Sequence, residues 1–186
     1  MARLTRRDQI DETSVGVYHC INRCVRQAFL CGDDPVSGNN YDHRKNWIQQ
    51  RLEFLAGEFA VDVIGFSVMS NHFHLVLRNR PDVVDLWPDS EVAWRWWNLF
   101  PERRDPDGSP AEPSKTEIKA LAKRIRSLRR RLSSISWLMR CLAENVARRA
   151  NREEAKSGRF LNHPTSCVAP LRLTRLRVVG GLAYAA

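Results

Sequence analysis

The chain has 186 residues, 43% of them apolar, which is enough for one domain with a substantial core and too few for two full ones. Thirty Lys and Arg against twenty-one Asp and Glu give a net charge of +9 and a pI near 9.9, a balance that favours a polyanion, nucleic acid first, as partner. No apolar run approaches the roughly 20 residues of a membrane span. Met1 to Arg7 also has no apolar stretch behind its charges, so the expectation is a cytoplasmic protein with no membrane partner. The cysteines Cys20, Cys24, Cys31, Cys141 and Cys167 are odd in number and accompany no secretion signal, which predicts reduced thiols rather than a disulfide framework.

In chain order, Val15 to Arg23 is rich in β-formers and predicts a first strand, with Ala28-Phe29-Leu30-Cys31 as a short hairpin partner. After a loop of Gly, Asp, Pro and Asn, apolar residues recur at Trp47, Ile48, Leu52, Leu55 and Phe59, the spacing of an amphipathic helix starting near Asp42. The runs 61–69 and 73–78 are strands separated by Ser70-Asn71-His72, an antiparallel hairpin. Strand, helix, strand, strand opens a ferredoxin-like order, an α+β fold with an antiparallel sheet and helices on one face. The stretch Pro81 to Pro113 carries Trp87, Trp94, Trp96 and Trp97 and then repeated Pro and Gly, which predicts a helical insertion followed by a mobile linker. Ser114-Lys115-Thr116-Glu117 is a capping box. The helix it opens places Ile118, Leu121, Ala122, Ile125, Leu128 and Leu132 on one face and cations on the other. A further helix begins near Ser133-Ser134, buries Ile135, Leu138, Met139, Leu142 and Val146, and displays Arg140, Arg148, Arg149 and Arg152.

The most chemically specific feature is His72-Phe73-His74. Alternate residues of a strand share a face, so the two imidazoles project together while Phe73 packs behind them. Neutral imidazole ligates divalent metals, and a strand holds two such ligands rigidly while leaving positions open for water and a phosphate oxygen. A metal there can polarise a scissile phosphate. The alternative is a pair of half-buried structural histidines.

Two segments together, Tyr18-His19-Cys20-Ile21-Asn22-Arg23-Cys24-Val25-Arg26 with Ala28-Phe29-Leu30, and Val68-Met69-Ser70-Asn71-His72-Phe73-His74-Leu75-Val76-Leu77, resemble the REP-associated tyrosine transposases of the HUH single-strand nuclease superfamily. Ile135 to Leu142, Ala147-Arg148, Asn151 and Ser157-Gly158-Arg159-Phe160 resemble the family's helix before its catalytic segment, so the likeness covers most of residues 1–160. It implies His72 and His74 as ligands of Mg2+ or Mn2+, a tyrosine that attacks DNA to leave a 5′-phosphotyrosine link, single-stranded or hairpin DNA as substrate, and a homodimer. The family's tyrosine and third ligand lie just after the position of Phe160. This chain departs from the pattern there: residues 161–186 contain no Asp, Glu or Lys, and we read them as an aberrant, poorly ordered tail, the product of a frameshift or truncated gene.

Only Tyr18, Tyr41 and Tyr184 are available as nucleophiles. Tyr18 reads as core and Tyr41 as a residue at a helix start, which leaves Tyr184, in the aberrant tail, as the candidate. His19 could stand beside the histidine pair on a neighbouring strand, or be a hydrogen-bonded core residue. Cys20, Cys24 and Cys31 lack a Cys-x-x-Cys pairing and read as buried thiols rather than zinc ligands. Arg23, Arg26, Lys123, Arg126, Arg130, Arg140 and Arg148 are the expected phosphate contacts; Lys123, Arg126 and Arg130 belong to a one-signed run that also includes Arg124, Arg129 and Arg131, whose alternative is an ordinary solvated face. The tryptophans could stack unpaired bases or simply pack the insertion. The expected function is metal-assisted cleavage and rejoining of DNA. The alternative is a degenerate relative that binds DNA hairpins without cutting them.

Overall fold

The computed structural model describes residues 10–25, 29–162 and 166–168, the last three by backbone placement. The elements are β1 Gly16–Arg23, α1 His43–Glu58, β2 Val61–Val68, β3 His72–Asn79, α2 Pro81–Leu86, α3 Asp89–Leu99, α4 Lys115–Ala122, α5 Ile125–Leu132, α6 Ile135–Glu153 and β4 Ser166–Val168. The sheet order is β2-β3-β1-β4 with every neighbouring pair antiparallel, the ferredoxin-like α+β arrangement.

Alternation divides the sheet into two unlike faces. Tyr18 and Cys20 of β1 and Phe73, Leu75 and Leu77 of β3 are buried in one core with Ile48, Leu52 and Leu55 of α1 and Leu138, Leu142 and Val146 of α6. Each such side chain contributes about 1.5–3 kcal/mol by leaving water, so this face fixes which way the strands are turned. The other face of β3 presents His72, His74, Val76 and Arg78, all only half-buried. At the closed end of the sheet, buried Asn79 accepts the Gly16 N–H at 2.7 Å and donates to the carbonyls of Asp11 and Ser14, which ties the approach to β1 onto the end of β3.

Several expectations needed correction. Ala28 lies outside the described residues, and Phe29-Leu30-Cys31 form no strand beside β1; instead the N–H groups of Leu30 and Cys31 both bond the Ser70 carbonyl. His72 belongs to β3, so the hairpin turn is Met69-Ser70-Asn71, closed by Met69 N–H to the His72 carbonyl at 2.8 Å. The single helix expected from Ser114 to Leu132 is two: the capping box forms, with Glu117 N–H donating to Ser114 Oγ and Ser114 N–H to Glu117, but the chain bends at Lys123 and Arg124. No proline or glycine marks that bend. It follows from packing, since α5 buries Leu128 and Leu132 and Arg129 reaches the carbonyls of Val84 and Trp87 and the carboxylate of Asp89.

The Pro-rich segment after α3 is tethered rather than loose. Trp97 Nε1 donates to the Ala111 carbonyl at 2.7 Å, Arg104 bridges to Pro110 through the backbone, and Arg103 pairs with Glu117 at 3.0 Å. Regular structure also continues past the expected boundary at residue 160. Leu161 is buried and bridges Cys24, Asn162 N–H bonds the Arg23 carbonyl, and β4 pairs with His19 to Ile21 of β1. The rest of the expected tail, 163–165 and 169–186, lies outside the described residues.

Candidate metal and nucleic-acid site

The site is set by the β1–β3 register. Arg23 stands opposite His72, Ile21 opposite His74, and His19 opposite Val76, all on the face the helices leave open. On the other side of β3, Ser67 of β2 is the partner of His74. The His72 and His74 rings are 4.9 Å apart between centroids and inclined at 66°, close enough to converge on one cation. His19 reaches diagonally across the strand pair to meet His74 edge to edge, ring centroids 4.9 Å apart and its Nε2 2.8 Å from His74 Nδ1. His72 Nδ1 lies 2.6 Å from Asn71 Oδ1.

The turn that carries Asn71 and His72 is held from below. Cys24 N–H donates to the Asn71 carbonyl at 2.8 Å, and Cys31 Sγ donates to the Met69 carbonyl at 3.1 Å. The sequence expectation gave these cysteines no task beyond burial, and nothing in their spacing signals one. Burial pushes the Cys24 thiol up to about 12 and the Cys141 thiol up to about 11, and raises Cys31 as well. Cys24, Cys31 and Cys141 are free thiols, in keeping with packing rather than ligation.

Burial lowers the pKa of His72, helped by the nearby Arg23 charge; His74 is lowered by burial, then by His72, His19 and Arg23. Both rings are therefore neutral at pH 7, the form in which imidazole can ligate. Donor chemistry and spacing fit a divalent cation held by two imidazoles with its remaining positions open to solvent and substrate. Among the described residues no set of three or more His, Cys, Asp or Glu side chains is arranged to hold a metal. His19 Nε2 instead contacts a ring nitrogen of His74.

The remaining candidates are dispersed. Arg23 is exposed beside His72, while Arg26 lies outside the described residues. Arg140 and Arg148 belong to α6, which lies with α1 against Phe73, Leu75 and Leu77, so the sheet separates that helix from the histidines; Lys123 lies at the bend between α4 and α5, and Arg126 and Arg130 on α5, which packs against α2 and α3. Arg140 and Arg148 both pair with Glu144, at 2.7 and 3.0 Å. Arg131 lies over Trp96 and Trp137, 5.5 and 4.5 Å from the ring centroids, so that part of the cationic run is structural. Trp96 and Trp97 are buried, and Trp94 is exposed.

Neither described tyrosine meets the histidines. Tyr18 is 2% exposed on the core face, its hydroxyl donating to the Asp11 carbonyl at 3.3 Å and accepting the Asp11 N–H at 3.1 Å. Tyr41 is buried under the Arg44 guanidinium, 3.9 Å from its ring centroid. Tyr184 lies outside the described residues. No helix among the described residues is long and apolar enough to cross a membrane. No family model, curated protein or solved structure matches the chain.

Proposed function

We propose that this chain is a cytoplasmic DNA-handling protein of the tyrosine HUH transposase type, acting on single-stranded or hairpin DNA at the open face of its sheet with Mg2+ or Mn2+ held by His72 and His74. The observation that carries this reading is the pairing of two neutral imidazoles at 4.9 Å on a face left uncovered by the helices, with Arg23 beside them. A bound cation supplies Lewis-acid polarisation of a phosphate oxygen. The chain's own part is geometric and electrostatic. β3 fixes the two ligands on either side of Phe73 on a rigid strand, and Arg23 offers a guanidinium to a neighbouring phosphate. In the cleaving form, a tyrosine oxygen attacks phosphorus, the deoxyribose 3′ oxygen leaves and takes up a proton, and the 5′ phosphate stays on the tyrosine until the reverse step rejoins the strand. The basic helices add non-specific attraction to DNA from the far side, and the homodimer belongs to this reading as well.

A second reading is a hairpin-binding protein that does not cut. It is favoured by one observation: Tyr18 and Tyr41 are both buried and both away from His72 and His74. One experiment addresses both readings. A labelled DNA hairpin incubated with Mn2+ and the full chain gives a covalent protein–DNA adduct that disappears in His72→Ala if the chain cleaves. Binding that weakens linearly in log salt, with no adduct, supports the second reading, and absent or salt-insensitive binding rejects both.

A further inference from the structure

The histidine pair has two polar neighbours whose placement is more specific than packing requires. Asn71 precedes His72 in the hairpin turn, and its Oδ1 is 2.6 Å from His72 Nδ1. An amide oxygen can only accept, so His72 Nδ1 must carry the proton, which leaves the lone pair of this neutral ring on Nε2. The turn backbone that aims Asn71 is itself fixed, by Cys24 N–H on the Asn71 carbonyl and by Leu30 and Cys31 N–H on that of Ser70. His19 stands in the same relation to the other ring, its Nε2 being 2.8 Å from His74 Nδ1. If His74 offers Nε2 to a cation, its proton sits on Nδ1 and His19 Nε2 is the acceptor. Metal-bound histidines commonly donate their second ring N–H in this way, which fixes tautomer and ring orientation together.

We propose that His19 and Asn71 are positioning residues that hold His74 and His72 as Nδ1–H tautomers, so that both Nε2 atoms present a lone pair to a divalent cation. The inference rests on the cation reading given above but makes a separate demand, because the tautomers exist before any metal binds. It also assigns His19 a role other than third ligand: its Nε2 is committed to His74. The two orienting groups come from independent places, one from the turn preceding β3 and one from β1. The pair is therefore braced from both ends. The two rings lie nearly in one plane, 15° apart and edge to edge, so the Nδ1 of His74 points along the line to His19 Nε2.

The test uses the full chain labelled with 15N-histidine. Two-bond 1H–15N correlation spectra of the metal-free protein are expected to show Nδ1–H for both His72 and His74, and Mn2+ binding is followed by the loss of its free electron paramagnetic resonance signal. His19→Leu is expected to weaken Mn2+ binding roughly 10- to 100-fold, the usual effect of removing an orienting partner. His19→Gln, whose amide oxygen can still accept, is expected to recover most of that loss. Asn71→Leu and Asn71→Asp form the parallel pair for His72. Far-UV circular dichroism and the thermal midpoint of each variant separate unfolding from loss of orientation. An Nε2–H tautomer at either ligand, or unchanged Mn2+ affinity in His19→Leu, overturns the inference. Direct perturbation of His19 Nε2 by Zn2+ also overturns it, by making His19 a ligand. Nδ1–H tautomers together with no Mn2+ binding by the unsubstituted chain overturn the cation reading beneath it instead.

Discussion

Arg44 offers the sharpest test of how the frame under the site is held. It occupies the first turn of α1 in the same buried stripe as Ile48, Leu52 and Leu55, where an apolar side chain would be ordinary, and its side chain is 0% exposed. The guanidinium bonds Glu153 and Glu154 at the end of α6, with Nη2 at 2.6 and 2.8 Å respectively, and donates from Nη1 to the Phe29 carbonyl at 2.9 Å. It also lies over the rings of Tyr41 and Phe160. One side chain thus joins α1, the end of α6, the loop before α1 and the residues leading to β4. Breaking a buried ion pair by removing one partner costs about 3–5 kcal/mol. Two features reduce that figure here. Glu153 is 31% exposed and keeps His43, and Glu154 keeps Lys156 at 2.9 Å. One feature adds to it, the Phe29 carbonyl left without its donor, worth about 1–3 kcal/mol.

The expected result for Arg44→Met is therefore a loss of about 3–4 kcal/mol in urea unfolding at pH 7 and a fall of about 10 °C in thermal midpoint, by the usual conversion for a domain of this size. Adding Glu154→Gln to that variant removes a nearly buried carboxylate whose remaining partner is the exposed Lys156, and is expected to restore about 1–2 kcal/mol. A loss below about 1 kcal/mol for the single variant, or no recovery in the double, would refute the view that these charges are buried and mutually dependent.

Two further outcomes follow from particular residues. Ala155 has φ +50°, the left-handed conformation, just after α6, where its N–H bonds the Arg152 carbonyl and the next N–H bonds that of Asn151; this is a glycine position occupied by alanine. Ala155→Gly is expected to raise stability by about 0.5–1 kcal/mol in urea unfolding, and a loss of stability would show that the strain is not there. Mn2+ binding by the unsubstituted chain is expected to fade with falling pH only below the ordinary histidine value of 6.5, because burial first and neighbouring positive charge second disfavour the protonated rings. A midpoint for Mn2+ loss above 6.5 would contradict those environments.

Much of this arrangement was legible from short-range pattern. The strict alternation from His72 to Asn79 gives both the strand and the shared face of the two histidines, and Ser114 and Glu117 announce their capping box. What escaped depended on contacts distant in sequence. The bend at Lys123 and Arg124 has no local breaker and is imposed by Leu128, Leu132 and Arg129 against α2 and α3. Arg44 reads as a surface cation until the end of α6, more than a hundred residues away, supplies its two carboxylates. The charge run from Lys123 to Arg131 reads as a row of phosphate contacts, yet composition cannot say that Arg129 is taken up by carbonyls and Asp89 or that Arg131 lies over Trp96 and Trp137.

The same logic explains why the histidine environment depends on β1 as much as on β3. His19, Ile21 and Arg23 share the open face only because Tyr18 and Cys20 are locked into the core and the pairing sets Arg23 opposite His72. A slip of one residue would turn His19 and Arg23 toward the helices and bring Tyr18 and Cys20 out, exposing apolar surface worth several kcal/mol. That penalty stands even with no ligand bound. The core on one side of the sheet therefore fixes, in advance of any cation or DNA, which side chains surround the imidazoles on the other.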